Sequence, residues 1–401
     1  MNFYESKYAD YTKQYRVLVC SPSDWIRGGV QNYIYSTILV MNRNDIQVDF
    51  YTPRQMPDEV YLEKMRDLGV NMFEGGQAGT RPNYWKVGGD IRNLISLHQY
   101  TVLYINTGSP TFQASSLLAA WKPGRGLRCI SHSHNAVAET FLKISRKIVY
   151  GLCRFVIRET ANDFLACSEL AGNFLFGKTI MSKYGRVINN GIDFNKFKFN
   201  VELRNKIRTK LNIDDDTVLV GLTAHFTKQK NHEFLIQTFA ELVKLRSNVR
   251  LVLLGDNVNG GIIRSRIEVL SDELGVKDKI FFLGSVTNTN EYYSAMDIFV
   301  MPSLWEGLPY AGIEAQASCL PCLFSDGISK ELELSDWAHF MALDYGTKEW
   351  AKKANELIQG NRIEQRVQQT EATRENIRKH GYDLYDSVAY VEKLFRGQER
   401  R

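Results

Sequence analysis

Short apolar runs alternate with segments of helical length along almost the whole chain, and few folds accommodate that alternation. A strand that is apolar throughout needs cover on both faces. The amphipathic segments between the runs supply it, so the pattern predicts repeated βα units around a parallel sheet. In the first half the predicted strands are 16–20, 48–51, 102–105, 128–131 and 164–166, with helices such as 30–41 and 59–68 between them. After the turn-rich stretch Asn189-Asn190-Gly191-Ile192-Asp193 the pattern starts again with a charged helix, 201–211. Strands 218–222, 249–254, 279–283, 298–301 and 322–324 follow, alternating with helices such as 232–245 and 290–295. Beyond 347 the strand signal fades, and helices are predicted over 350–358 and 383–395. The expected class is α/β: two Rossmann-like doubly wound domains, 1–193 and 194–375, and a helical segment, 376–401, packing back toward the first.

A chain of 401 residues is long enough for two such cores. Its 44% apolar and 24% charged residues are those of a soluble globular protein and exclude fibrous or disordered classes. No run approaches the roughly 20 apolar residues of a membrane span, and residues 1–15 are polar and tyrosine-rich, unlike a signal peptide. A cytoplasmic location is therefore expected. The net charge of +5 comes without a basic stripe interleaved with aromatics, so no nucleic-acid partner is expected. The six cysteines have no regular spacing and are expected to be reduced thiols. Among them, Cys319-Leu-Pro-Cys322 has redox-motif spacing but links a helix to a strand, which suits a packed pair. Lys143, Arg146, Lys147, Arg154 and Arg158 lie among Phe141, Ile144, Ile148, Val149, Leu152, Phe155 and Val156, a basic amphipathic helix. Such a helix suits peripheral contact with the anionic inner face of a membrane, or equally a domain edge with solvated charges.

Open α/β sheets bind ligands at the carboxyl ends of their strands, so the loops after strands are where chemistry is expected. The most informative is Met301-Pro-Ser-Leu-Trp-Glu306-Gly307-Leu308-Pro309-Tyr310-Ala311-Gly312-Ile313-Glu314. A strand runs into a loop with Glu306, Pro309 suits a first helical turn, and Glu314 falls within the helix. At about 1.5 Å per residue the two carboxylates lie roughly 12 Å apart, about the reach between the sugar and the ribose of a nucleotide sugar. Carboxylates accept hydrogen bonds from vicinal hydroxyls, and free amides at a helix start receive a diphosphate. Two acidic residues on a solvated helix start are the plain alternative.

A second loop, Gly221-Leu-Thr-Ala-His225-Phe-Thr-Lys-Gln-Lys230-Asn-His232, brings cations to a strand end, where they can neutralise a departing diphosphate or lie solvated. A third, Arg128-Cys-Ile-Ser-His132-Ser-His134-Asn135, carries a His-x-His pair without a third ligand at metal-site spacing. Gly28-Gly29 follows the first strand and suits a tight loop or the plain start of a helix. Neither a Gly-x-Gly-x-x-Gly nicotinamide fingerprint nor a Walker loop occurs.

Together these elements resemble the retaining GT-B glycosyltransferases of family 4, and especially their bacterial capsular and exopolysaccharide branch. The resemblance covers nearly the whole chain from Arg16 and is most specific in Glu306-x7-Glu314 within Pro-Ser-Leu-Trp-Glu-Gly-Leu-Pro, followed by Ala-Gln-Ala-Ser. It implies a GT-B fold, with two Rossmann-like domains across a cleft and a C-terminal crossover helix. The implied activity moves a sugar from a nucleotide diphosphate sugar, UDP-sugar in most relatives, to a saccharide or lipid-linked saccharide acceptor. Transfer retains anomeric configuration and uses neither a divalent metal nor a cofactor. By the same resemblance Glu306 and His134 lie beside the donor sugar and Glu314 holds the ribose. Backbone from Gly307 through Leu308, Pro309 and Tyr310 contacts the donor, Lys230 meets the diphosphate, and Gly28 and Gly29 form the glycine-rich loop near it.

Two departures stand out: His225 occupies the place of an arginine, and Cys319 that of a glycine. Histidine lacks the guanidinium fork, so diphosphate contact there is expected to be weaker and pH-dependent. A nucleotide-sugar binder without transfer, or a GT-B nucleotide-sugar epimerase, is the alternative function.

Overall fold

The computed structural model describes residues 1–22, 29–54, 59–76, 83–121, 126–134, 144–257, 261–359 and 363–399. The chain divides into two compact units, Met1–Gly191 with Leu384–Arg401, and Ile192–Asp383. Residues 376–383, assigned with the C-terminal segment from the sequence, belong instead to the second unit. The helix Thr370–Lys379 inserts Ile377 into that unit's core, and Ile192 forms a one-residue parallel bridge with Asp383.

The first unit contains β1 (Asn2–Tyr4), β2 (Tyr15–Cys20), β3 (Ile46–Thr52), β4 (Asn71–Glu74), β5 (Val102–Asn106), β6 (Arg128–Ser133), β7 (Asp163–Ala166) and β8 (Gly185–Val187). They form one sheet in the order β1-β4-β3-β2-β5-β6-β7-β8, parallel except for β1, which runs antiparallel to β4. Every residue of β3 and β5 is buried, as strands covered by helices on both faces require. The helix Leu384–Phe395 belongs here, burying Leu384, Val388, Val391, Leu394 and Phe395 against Val17, Val19 and Tyr104. Arg128 closes its C-terminal end by donating from Nη1 to the Leu394 carbonyl at 2.9 Å while pairing with Asp163.

The second unit contains β9 (Val218–Thr223), β10 (Val249–Leu254), β11 (Ile280–Gly284), β12 (Ile298–Met301), β13 (Cys322–Ser325) and β14 (Ala338–Met341). All its pairings are parallel, in the order β11-β10-β9-β12-β13-β14. This is a doubly wound order, and the direction of winding reverses between β9 and β12. Four strands, β1, β4, β8 and β14, are absent from the sequence-based expectation. Each is three or four residues long, and β4 begins and ends on polar residues. Partners offset the burial of those groups: Asn71 donates to Asp49 and Glu74 accepts from Asn2 and Tyr4.

Arg366, in the helix Ile363–Gln368, is 1% exposed and faces no carboxylate within ion-pair distance among the described residues. Its guanidinium donates instead to carbonyls at the ends of two helices. It reaches Tyr293 and Met296 at the end of Thr289–Ala295, and Ser318 at the end of Tyr310–Ala317, over 2.8–3.1 Å. It also lies over the Phe199 ring, 4.0 Å from its centroid. Burial, and secondarily the charge of Arg204, pushes its pKa down to about 9, which leaves it charged at neutral pH. The Arg366→Met variant strands these carbonyls and is expected to lower stability by about 3 kcal/mol or more. A urea-unfolding midpoint close to the wild type contradicts this role.

Candidate functional site

Winding reverses between β9 and β12, and in doubly wound sheets such a reversal is where a ligand crevice is expected at the carboxyl ends, because the connections leave toward opposite faces of the sheet. The loop after β12 is tied to both neighbouring loops. On the β9 side, Leu304 N donates to the Gln229 carbonyl at 2.8 Å, Gln229 Nε2 to the Trp305 carbonyl at 2.8 Å, and Asn231 Nδ2 to the Pro302 carbonyl at 3.1 Å. On the β13 side, Glu306 N donates to the Gly327 carbonyl at 3.0 Å and Ser329 N returns to the Glu306 carbonyl at 3.1 Å. Gly327 makes this approach possible, since a Cβ there lies 2.3 Å from the Leu304 oxygen. Gly255 does the same for the loop after β10: with φ +142, its Cβ position lies 2.1 Å from the Ala224 oxygen.

This lacing brings Lys230 and Glu306 together. Lys230 Nζ stands 2.5 Å from Glu306 Oε1, with both side chains largely enclosed at 19% and 12% exposure. His225 lies on the same loop as Lys230, half-buried, and its Nδ1 has no hydrogen-bond partner among the described residues. His232 stacks on Phe226 at 4.4 Å, and burial followed by the charge of Lys230 pushes its pKa down to about 4, so it is neutral.

Pro309 is the cap residue of the helix Tyr310–Ala317, one position before the first helical turn where the sequence suggested it. No side chain caps this helix start. Gly307 is exposed, with open space where a Cβ would stand, while Leu308 packs on the core. Glu314 sits within the helix, half-buried, and its Oε2 accepts from the Tyr293 hydroxyl at 3.0 Å. Burial pushes the Glu314 carboxyl up to about 7, opposed by the Tyr293 bond and the charge of Lys196. The helix ends in a Schellman motif, with Cys319 N bonded to Gln316 O and Leu320 N to Ala315 O, and Cys319 takes the left-handed position at φ 48. That conformation explains why glycine is the easier residue there. Cys319 and Cys322 are both buried free thiols, the first bonding the Thr373 hydroxyl and the second the Leu320 carbonyl.

In the first unit, Gly28 lies outside the described residues, and Gly29 is the first residue of the helix Gly29–Val40. His134 is buried, with Nε2 2.9 Å from Asn106 Oδ1, and its ring is 4.1 Å from that of His132. His132 Nδ1 lies 2.6 Å from the Tyr104 hydroxyl, which meets the Tyr33 hydroxyl at 2.9 Å. Burial pushes His134 down to about 3 and His132 lower than its ordinary value, so both are neutral imidazoles. His134 Nδ1 and His132 Nε2 have no partner among the described residues. Among those residues no three His, Cys, Asp or Glu side chains gather as a metal-binding group. Sequence reasoning missed Tyr293, Gly255, Gly327 and Gln229; only the glycines carried a signal, as breaks in apolar runs near strand ends.

The family described as Glycosyltransferase Family 4 matches residues 27–196, and that described as Glycosyl transferases group 1 matches 204–376. EpsF of Bacillus subtilis, named as a glycosyltransferase, is 30% identical over 92% of this chain and 93% of its own. The UDP-Gal:alpha-D-GlcNAc-diphosphoundecaprenol alpha-1,3-galactosyltransferase of Escherichia coli is 28% identical over 59% of this chain and 62% of its own. The crystal structure of Anabaena HepE in complex with UDP superposes with a TM-score of 0.74 at 16% identity, covering 96% of this chain and all of that one.

The enclosure of Glu314 has a cost that is measurable without ligand. Its carboxyl is raised from an ordinary 4.5 to about 7, so the folded chain holds this proton more tightly than the unfolded one. The proton therefore favours folding below about pH 4.5, and that contribution is lost as pH rises to about 7, roughly 1–3 kcal/mol. Glu314→Gln removes the charge. It is expected to raise Tm by about 2–8 °C at pH 8 and to leave it nearly unchanged at pH 5. Equal shifts at the two pH values contradict this assignment.

Proposed function

The chain belongs to the glycosyltransferases of family 4, and from that premise we propose that it moves a sugar from a UDP-sugar to a saccharide acceptor, lipid-linked, during assembly of an extracellular or capsular polysaccharide. The observation that carries the reading is the enclosed pair Lys230–Glu306 at the carboxyl ends of β9 and β12, beside an uncapped helix start that bears Glu314. A nucleotide sugar needs three things of such a crevice. Its diphosphate needs positive groups, which the ammonium of Lys230 and the first amides of Tyr310–Ala317 provide. Its ribose diol needs a carboxylate, Glu314. Its sugar needs an acceptor for hydroxyls, and Glu306 fills that role once Lys230 turns from it toward the phosphate.

Bond cleavage transfers negative charge to the leaving diphosphate, and Lys230, His225 and the helix amides stabilise it without requiring a covalent carboxylate or a divalent ion. The acceptor hydroxyl then attacks from the face the diphosphate leaves and gives its proton to the departing phosphate oxygen, which retains configuration. His134, being neutral, takes part only through uncharged hydrogen bonds. The names of the relatives support the donor and acceptor classes: one is a galactosyltransferase using UDP-Gal on a diphosphoundecaprenol-linked sugar, and one neighbour was solved with UDP.

A cytoplasmic enzyme on the inner face of the plasma membrane is consistent with the helix Ile144–Thr160. Ile144, Ile148, Leu152 and Phe155 fall on one face at helical spacing and are 78%, 62%, 66% and 62% exposed, with the exposed Lys147 on their flank and the exposed Arg146 on the far face. Lys143 and Phe141 of the same predicted stretch lie outside the described residues. No described helix is long and apolar enough to cross a membrane.

Lys230→Ala is expected to lower kcat for transfer by about 10²–10³ with a small change in donor KM, and Glu314→Ala to raise donor KM by about tenfold or more. Unchanged kinetics in both variants, measured by product mass spectrometry, contradict the reading; UDP binding with no transferred product makes the protein a binder. In vesicle flotation, Arg146→Glu/Lys147→Glu is expected to lose binding to anionic liposomes that the wild type retains. Equal flotation removes the membrane contact.

A further inference from the structure

We infer that Tyr293 is the positioning residue for the ribose end of the nucleotide: its phenol holds the Glu314 carboxylate so that the second oxygen faces the diol. The inference rests on the UDP-sugar reading and deepens it. Tyr293 is fully buried in the helix Thr289–Ala295, and its hydroxyl is the one hydrogen-bond donor to the Glu314 carboxylate among the described residues, at 3.0 Å to Oε2. Its ring is fixed by Phe197 and Phe299, at centroid distances of 6.1 and 5.8 Å. Its backbone is fixed as well. Arg366 donates to the Tyr293 carbonyl at 3.0 Å and to the Ser318 carbonyl at 2.8 Å, and Ser318 N in turn donates to the Glu314 carbonyl at 3.2 Å.

The two residues are thus held in one frame, phenol against carboxylate. A carboxylate with one oxygen engaged by a rigid donor loses the freedom to swing among rotamers, so a diol meets an acceptor already in place. The donated hydrogen bond also favours the charged form, which is the form that accepts from both hydroxyls, against the burial that disfavours it. Phenylalanine keeps the ring and its packing and removes both effects. A merely structural tyrosine would instead affect every nucleotide alike.

The test compares Kd for UDP and for 2′,3′-dideoxy-UDP by calorimetry on the full chain. Wild type is expected to prefer UDP by about tenfold or more, as a diol on a charged acceptor predicts. Tyr293→Phe is expected to reduce that preference at least threefold while leaving the dideoxy affinity unchanged. In a Glu314→Ala background, adding Tyr293→Phe is expected to change neither Kd. A Tyr293→Phe protein that keeps the wild-type preference, or that loses affinity for both nucleotides equally, overturns the inference and leaves the assignment of Glu314 standing. Wild-type affinity for UDP that ignores the ribose hydroxyls overturns both.

Discussion

A single buried guanidinium ends two helices at once. Arg366 collects the carbonyls left over where Thr289–Ala295 and Tyr310–Ala317 stop, and helix ends buried without such partners are costly. Because one helix carries Tyr293 and the other Glu314, the same contact that stabilises the core also sets the spacing of two groups in the candidate site. Arg204 and Arg208 act similarly on the segment between: both reach the Ala295 carbonyl and Asp297, whose carboxylate accepts from Leu219 N at the start of β9. Three arginines thereby anchor the amino end of β12, while its carboxyl end is left for loops and chemistry.

At that carboxyl end, charged groups and free amides gather instead of apolar packing. Glu314 is held where burial opposes its charge, Lys230 is spent on Glu306, and the helix start has no side-chain cap. In the proposed function, an anionic, diol-bearing ligand draws Lys230 from Glu306 and meets Glu314 and the free amides of the helix start. Sites of this kind are where sequences depart from their own folding rules, and where such departures indicate function.

Much of the fold was legible because most of its strands are buried on both faces and so appear as unbroken apolar runs; β10 and β12 were read to the residue. The strands that escaped are short edge strands or, like β4, contain buried polar residues whose partners lie far away in sequence. Glu306 and Glu314 could be read because a loop and one helix hold them. The Lys230–Glu306 contact could not: it joins residues 76 positions apart and exists because β9 and β12 are neighbours in the sheet. Arg366 resembled any solvated arginine among glutamate and glutamine, and Tyr293 any core tyrosine, since nothing local marks a residue whose partners come from several other elements.

The central claim is that a nucleotide diphosphate lies at the carboxyl ends of β9 and β12, spanning from Lys230 to Glu314. A crystal structure with UDP tests it most directly. The account predicts diphosphate density against the amides that follow Pro309, with the ribose hydroxyls on Glu314 and Lys230 turned toward phosphate oxygen. UDP bound with its ribose away from Glu314 and its phosphates away from Lys230 contradicts it.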